Sequence, residues 1–283
     1  AWGHAECAVF DLLGQVSGKP VAELLGGVRR TEIPFYISSN RRGGDPAAEV
    51  DALRAALASS GCTGVKIKIG GRMNRNRDAA DGWTPGIVSA TRKGLGDAVT
   101  IYADANGGYD APTALEVARL LEDHGVTMWE EPCPGDDIVM TGQVTQRLRR
   151  RRSKLLIGAG ENEGNATVWR HWIDGRHLDV AQPDPHYGGG LIHCIAVARM
   201  TAAAGLRFNP HWPREGAEQA PLMHLCAAAP KLWGLQEYRL RPRAHPYGPI
   251  STYELKEGVM KLPDAAGFGV QYDSALWARA VAL

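Results

Sequence analysis

Lys68, Asp104, Glu130, Glu161, Asp184, His211 and Glu237 each stand at or near the end of a short apolar run, and those runs recur about every 25–35 residues. An amine, an imidazole and five carboxyl groups are the side chains of proton transfer and cation binding. A single acid at a strand end is commonly a helix cap or a loop charge. Asp104, Glu130 and Glu161 fall at successive recurrences, and at one shared mouth they would repel one another without a cation among them. Three monodentate carboxylates, with water and substrate completing an octahedron, suit Mg²⁺ and tolerate Mn²⁺.

The stretch Gly64-Val-Lys-Ile-Lys-Ile-Gly70 carries the base. Strand side chains alternate, so Lys66 and Lys68 share one face while Val65, Ile67 and Ile69 share the other. A helix-covered outer face must be apolar, which sends both lysines inward. Two such neighbours repel, and one ammonium is pushed toward the neutral form that a general base needs. Asp184 and His211 end adjacent runs, where the carboxylate would hold the imidazole in one tautomer. Glu237 ends the last run and, kept protonated by an apolar setting, would donate a hydrogen bond to a developing oxyanion. Asn106 shares the parity of Asp104. His186, His193 and His224 read as loop or helix-surface histidines, and Gly188-Gly189-Gly190 reads as a plain loop in preference to a phosphate cradle.

These residues need a scaffold that converges them. Strands are expected at 33–38, 64–69, 99–104, 127–130, 155–159, 178–182, 206–209 and 232–236, with helical segments such as 47–59, 111–124 and 190–204 between them. Strand and helix in alternation build a parallel α/β barrel of the TIM type, (β/α)7β, whose strand C-termini open on one mouth. No GxGxxG opens an early strand–helix turn, which argues against a dinucleotide fold. Residues 1–25 read as helical, with Ala8, Phe10, Leu12 and Leu13 at helical spacing, and stop at Gly26-Gly27. The barrel is expected over 1–238. The segment 239–283 contains Pro242, Pro246, Pro249 and Pro263 and shows little periodicity until a short helix near 274–280.

The 283 residues suit one barrel, and a net charge of +1 gives no electrostatic reason to expect nucleic acid or an anionic membrane. Arg147, Arg149 to Arg152 and Lys154 form a basic run that ends a helix on the face away from the mouth. There it reads as a solvated terminus, in preference to a nucleic-acid patch. The five cysteines are scattered without CxxC spacing, the usage of a reduced, cytoplasmic protein. There is no long apolar run and no signal-like start, so a soluble protein without a membrane partner is expected.

KxK at 66–68, Asp104-Ala-Asn-Gly, Trp129-Glu-Glu-Pro, Gly160-Glu-Asn, Gln182-Pro-Asp with a following glycine run, Pro210-His and a final-strand Glu237 occur in an order that resembles the enolase superfamily, specifically its mandelate racemase subgroup. The resemblance runs from residue 1 to about 270. It implies that Asp104, Glu130 and Glu161 bind Mg²⁺ and that the substrate carboxylate chelates it. Lys68 would move the proton α to that carboxylate on one face, assisted by Lys66, and His211 oriented by Asp184 would act on the other. Glu237 would meet a carboxylate oxygen as it gains charge, and Asn106, with Lys66, would face the substrate. Relatives carry an N-terminal α+β capping domain, which is expected to be missing from this chain; in them the segment after residue 238 packs on that cap. The implied activity is dehydration of a sugar acid, an aldonate or aldarate, through an enediolate to a 2-keto-3-deoxy acid. Racemisation or epimerisation of a 2-hydroxy acid is the alternative, and a non-catalytic barrel remnant the third. The partner is a small carboxylate, and a homo-oligomer is expected.

Overall fold

The computed structural model describes residues 2–73, 76–239 and 253–271. Two helices, α1 (Trp2–Ser17) and α2 (Val21–Leu24), lead into eight parallel strands: β1 (Glu32–Ser38), β2 (Gly64–Lys68), β3 (Thr100–Asp104), β4 (Met128–Glu130), β5 (Leu156–Ala159), β6 (Val180–Ala181), β7 (Arg207–Phe208) and β8 (Gln236–Tyr238). Between them run α3 (Pro46–Ser60), α4 (Trp83–Leu95), α5 (Ala111–Asp123), α6 (Ile138–Arg150), α7 (Ala166–Asp174), α8 (Gly190–Ala203) and α9 (Ala220–Ala228). The expected helix over 1–25 is interrupted by Gly18-Lys19-Pro20: Gly18 has φ 65°, and Pro20 is extended and caps α2.

The strands pair in the order β7-β6-β5-β4-β3-β2-β1-β8. The cylinder closes between β7 and the approach to β8 through one parallel bridge, Phe208 with Leu232, where the Trp233 N–H donates to Phe208 O at 2.9 Å. The buried side chain of Asn209 reinforces that seam, its Nδ2 donating to Trp233 O at 2.8 Å and Leu235 O at 2.9 Å. A ninth strand, β9 (Val259–Lys261), pairs antiparallel with the start of β1, and Gly267 bridges Pro20, so the described part of the tail packs on the barrel itself. The helix expected near 274–280 lies outside the described residues.

Helix starts follow from local chemistry. Asp45, Asp110, Asp137 and Asn165 each accept a backbone N–H of the first turn of α3, α5, α6 and α7. That satisfies donors a helix cannot bond internally and fixes where each crossover turns back. The outward faces of the strands pack on these helices through Val65, Ile67, Ile101, Ala103 and Trp129. Inside, an apolar plug of Tyr36, Tyr102, Met128 and Val180, with Trp233 and Leu235, fills the lower barrel. The inner-face acids, lysines and His211 lie above this plug, toward the C-terminal mouth, whereas Arg207 stays beside it, 5.7 Å from the centre of the Trp233 ring. Among the described residues no helix is long and apolar enough to cross a membrane.

Candidate active site

Above the plug lies an ionic layer. Lys66 is fully buried, its Nζ 5.7 Å from the centre of the Tyr36 ring, 2.7 Å from Glu130 Oε2 and 3.0 Å from Glu237 Oε1. Burial opposes its charge, but Glu130 and Glu237 outweigh burial and raise its pKa well above the ordinary lysine value. Lys66 is a fixed cation. It lies beneath the cavity, where it holds Glu130 and Glu237 from below.

One layer higher, strand register sets the candidates side by side. Lys68 is opposite Asp104 on β3, Asp104 is opposite Glu130 on β4, and Glu130 is opposite Gly158 on β5. A Cβ at Gly158 would come within 2.1 Å of Gln182 Oε1, so glycine there leaves room for the Gln182 side chain, which donates to Glu130 Oε2 at 3.1 Å. The Lys68 Nζ hydrogen-bonds Asp104 Oδ2 and approaches Asn106 Oδ1 at 3.3 Å. Asp104 is buried, which alone would raise its pKa, but Lys68 and Lys66 hold it well below the usual carboxylate range. Glu130 is raised to about 7, by burial first; Lys66 opposes the shift and the Asp104 charge adds to it.

Across the mouth stands His211. Its Nδ1 is 2.7 Å from Asp184 Oδ2, and its Nε2 is 3.1 Å from Glu161 Oε2 and 3.7 Å from Glu237 Oε2. Asp184 is itself fixed by the N–H groups of His186 and Tyr187, at 2.5 and 3.0 Å. Burial would depress the imidazole, but Glu161, Glu237 and Asp184 push it up to about 10, so it carries a proton. Glu237 differs from expectation. Its setting is ionic rather than apolar: burial raises its pKa, but Lys66, His211 and Lys68 more than reverse that, to about 2. It is an ion-pairing carboxylate here, not a neutral donor.

The seven groups named from the sequence thus converge on one mouth. Asn106 joins them with φ 44°, its Nδ2 without a partner among the described residues. His186, on the loop before α8, contacts His4 and Arg214 on the side of α1, and Asn209 belongs to the seam. His224 is a core residue, fully buried rather than on a helix surface, accepting from the Ala22 N–H at 3.0 Å. The glycine run is no phosphate cradle. The carboxylate of Glu6 in α1 accepts from Leu191 N–H at the start of α8, and a Cβ at Gly190 would lie 2.1 Å from that carboxylate. Of the basic run, Arg149 pairs with Asp179 at 2.6 Å and Arg151 with Glu122.

Several mouth residues escaped sequence reading. Glu131 is buried beside Glu130, and burial, then Glu161 and Asp104, raises its pKa well above the carboxylate range. Arg42, Arg72, Tyr187 and Arg239 line the cavity. Their one sequence signal is position, within a few residues of a predicted strand end or of a candidate site residue, and that signal is shared with every loop residue.

The donor set fits a hard divalent cation. Glu130, Glu161 and His211 bring atoms within 4.8 Å of one another, and it is the two carboxylates, not the protonated imidazole, that suit such an ion. Glu130 Oε1 and Glu161 Oε2 are buried without a hydrogen-bond donor, the latter close to His211 Nε2 but out of alignment with it. Asp104 adjoins this group through its register with Glu130, although its Oδ2 is engaged by Lys68. Orphaned carboxylate oxygens in a buried acidic cluster are what a cation would satisfy.

The profile of the family described as enolase C-terminal domain-like matches residues 48–276. The chain belongs to the enolase superfamily, in its mandelate racemase subgroup. Among relatives of this superfamily chain, an arabinonate dehydratase of Saccharolobus solfataricus is 26% identical over 272 residues, covering 93% of this chain and 67% of that protein. A structure from Roseobacter denitrificans, described as a candidate racemase, superposes with a TM-score of 0.88 at 33% identity, over 97% of this chain and 75% of that one. A mandelate racemase/muconate lactonizing protein from Paracoccus denitrificans PD1222, complexed with magnesium, gives 0.85 at 27% identity, over 96% and 72%. The chain therefore spans two thirds to three quarters of the length of these proteins.

Proposed function

We propose that this enolase-superfamily barrel catalyses Mg²⁺-dependent dehydration of a sugar acid, with Asp104, Glu130 and Glu161 as metal ligands. The observation that carries this reading is the opposition across one mouth of an amine and an imidazole with the three acids on the arc between them, Lys68 against Asp104 and His211 3.1 Å from Glu161. When bound, the cation supplies positive charge at the substrate carboxylate, which makes the α-proton acidic enough to remove. Lys68, left as the neutral amine once Asp104 exchanges its ion pair for the cation, would take that proton, and Asn106 Nδ2 would face a substrate oxygen. Electrons from the broken C–H bond pass first into the substrate carboxylate, giving an enediolate, and then return to form the Cα–Cβ double bond as the β-hydroxyl leaves. His211 protonates the leaving hydroxyl, so water departs and the enol product tautomerises to a 2-keto-3-deoxy acid. Asp184 holds His211 in place throughout, and Glu237 keeps Lys66 paired.

Racemisation of a 2-hydroxy acid is the second reading, favoured by the presence of a proton-transfer group on each side of the mouth. It requires His211 to act as a base as readily as an acid, and two carboxylates against its ring nitrogens work against that. In this reading residues 1–238 form the catalytic barrel, and 239–283 is the segment that in relatives packs on a cap. The free cysteines accord with a reduced, cytoplasmic setting, and we propose a homo-oligomer as the assembly. Incubation of the Mg²⁺-loaded protein with a panel of aldonates and aldarates tests the function: 2-keto acid formation supports dehydration. Deuterium uptake with inversion and no keto acid moves the assignment to a racemase, and no exchange with any acid leaves a non-catalytic barrel.

A further inference from the structure

We propose that the mouth contains a second anion site, formed by Arg42, Arg72 and Arg239 on the β8–β1–β2 side, which receives an anionic group at the far end of the substrate chain. The substrate is then a dianion, a sugar diacid or a phosphorylated sugar acid, and not a simple monoacid. The inference rests on the reading of the mouth as a sugar-acid site and narrows its substrate class.

The three arginines line the same cavity of about 820 Å³ as Lys68, Glu161 and His211. Elsewhere among the described residues four arginines meet carboxylates, Arg41 with Glu49 at 3.2 Å, Arg149 with Asp179 at 2.6 Å, and Arg54 and Arg151 with Asp51 and Glu122, while Arg30, Arg92 and Arg199 bond carbonyl oxygens and tie separate segments together. The rim arginines have no carboxylate pair among the described residues, and they share one open cavity. Arg42 directs its guanidinium at neutral acceptors, Gly70 O at 2.8 Å, Asn106 Oδ1 at 2.6 Å and also Ile69 O. Those bonds fix its place without a carboxylate pair. Arg239 reaches the amide oxygen of Asn40 through Nη2 at 2.6 Å and also through Nε. Arg72 is exposed, with no hydrogen bond or ion pair to any described residue.

Most acids deeper in the mouth have their own cations, Lys66 at 2.7 Å from Glu130, Lys68 on Asp104 and His211 at 3.1 Å from Glu161, and Glu131, buried in the same lining, pairs with none of the three arginines among the described residues. The opposite rim contributes Asn162 and Tyr187, which are neutral. A substrate with one carboxylate at the acid cluster and another charge at its far end would satisfy both halves of the mouth. Its far end would meet charge-assisted hydrogen bonds from Arg72 and Arg239 in a setting already positive from Arg42.

Calorimetric titration of the Mg²⁺-loaded protein with gluconate, glucarate and 6-phosphogluconate, and with galactonate and galactarate, reads the preference whether or not any of them reacts. In at least one series the dianion should bind about tenfold or more tightly than the monoacid, and raised salt should narrow the gap. Arg72→Gln and Arg239→Gln should each reduce the ratio by about tenfold. These two are chosen because Arg42 also ties the ends of β2 and β3 together. Glucarate against 6-phosphogluconate distinguishes a carboxylate from a phosphate. Equal binding of monoacid and dianion in both series, or a preference that both variants leave intact, overturns the inference. A dianion preference without α-proton exchange in D₂O for any ligand would remove the dehydratase reading and leave the anion site standing.

Discussion

His211 has a carboxylate on each ring nitrogen, whereas Lys68 shares its ammonium between Asp104 and Asn106. That asymmetry separates the two proton-transfer roles. Lys68→Met should abolish exchange of the substrate α-proton and lower turnover by about 10³-fold or more. His211→Gln should lose keto-acid formation while exchange at the Lys68 face persists, followed by proton NMR in D₂O; loss of both in His211→Gln would refute the division of labour. Strand parity made Lys66 and Lys68 readable from sequence, because an inward face is a period-two property of the chain itself. Which of the pair reaches substrate was not readable, since that depends on the height of the plug beneath Lys66. Nor was the ionised state of Glu237, which follows from a lysine on another strand. Arg42 was missed for a related reason: its role is set by what it touches after folding, and an Arg-Arg-Gly-Gly loop gives no hint of Asn106.

At the scale of elements, the β/α alternation was legible because every strand but the last has an apolar core flanked by turn residues, and because Asx residues mark helix starts. The short strands β6 and β7 came out longer in the sequence reading than in the fold, since Leu178 and Leu206 are buried without pairing in the ladder. Strand β9 has no such signature, because its partner, the start of β1, lies more than two hundred residues away. Residue Gly190 joins α8 to α1 at a φ of 92°, with the Glu6 carboxylate against its Cα. Gly190→Ala should cost on the order of 1–3 kcal/mol or more, from the backbone conformation and the displaced carboxylate together. Urea denaturation measures it; an unchanged midpoint would mean that the α1–α8 junction bears little of the stability.

On the whole molecule, two titrations report the architecture. Divalent cation binding only to the folded mouth should raise the melting temperature in proportion to the logarithm of free Mg²⁺. Glu161→Gln should flatten that dependence, and EDTA should return the wild type to the melting point of the metal-free protein; a melting point indifferent to Mg²⁺ would contradict the ligand assignment. His224 ties α2, α9 and the tail together, with its Nε2 near Tyr253 Oη at 3.1 Å and Phe268 O at 3.3 Å. Burial lowers its pKa to about 4 from the ordinary histidine value of 6.5, the Phe268 carbonyl opposing the shift. Between those values the unfolded chain binds the proton and the folded one does not, so stability is present above about pH 6.5 and falls as pH drops toward 4. The loss is about 3 kcal/mol, and His224→Gln should flatten that part of the stability–pH curve.

The joint between Phe208 and Leu232 gives the barrel a preferred place to yield. Seven walls are shared between ladders, and the eighth relies on a single rung and the side-chain amide of Asn209. Fluctuations that spare every other wall should part this one first, and they would carry His211 away from Glu237. Rapid amide exchange at Trp233 in an Asn209→Leu variant that still melts cooperatively would reveal a cylinder that comes unbuttoned along one side, losing its chemistry well before its shape.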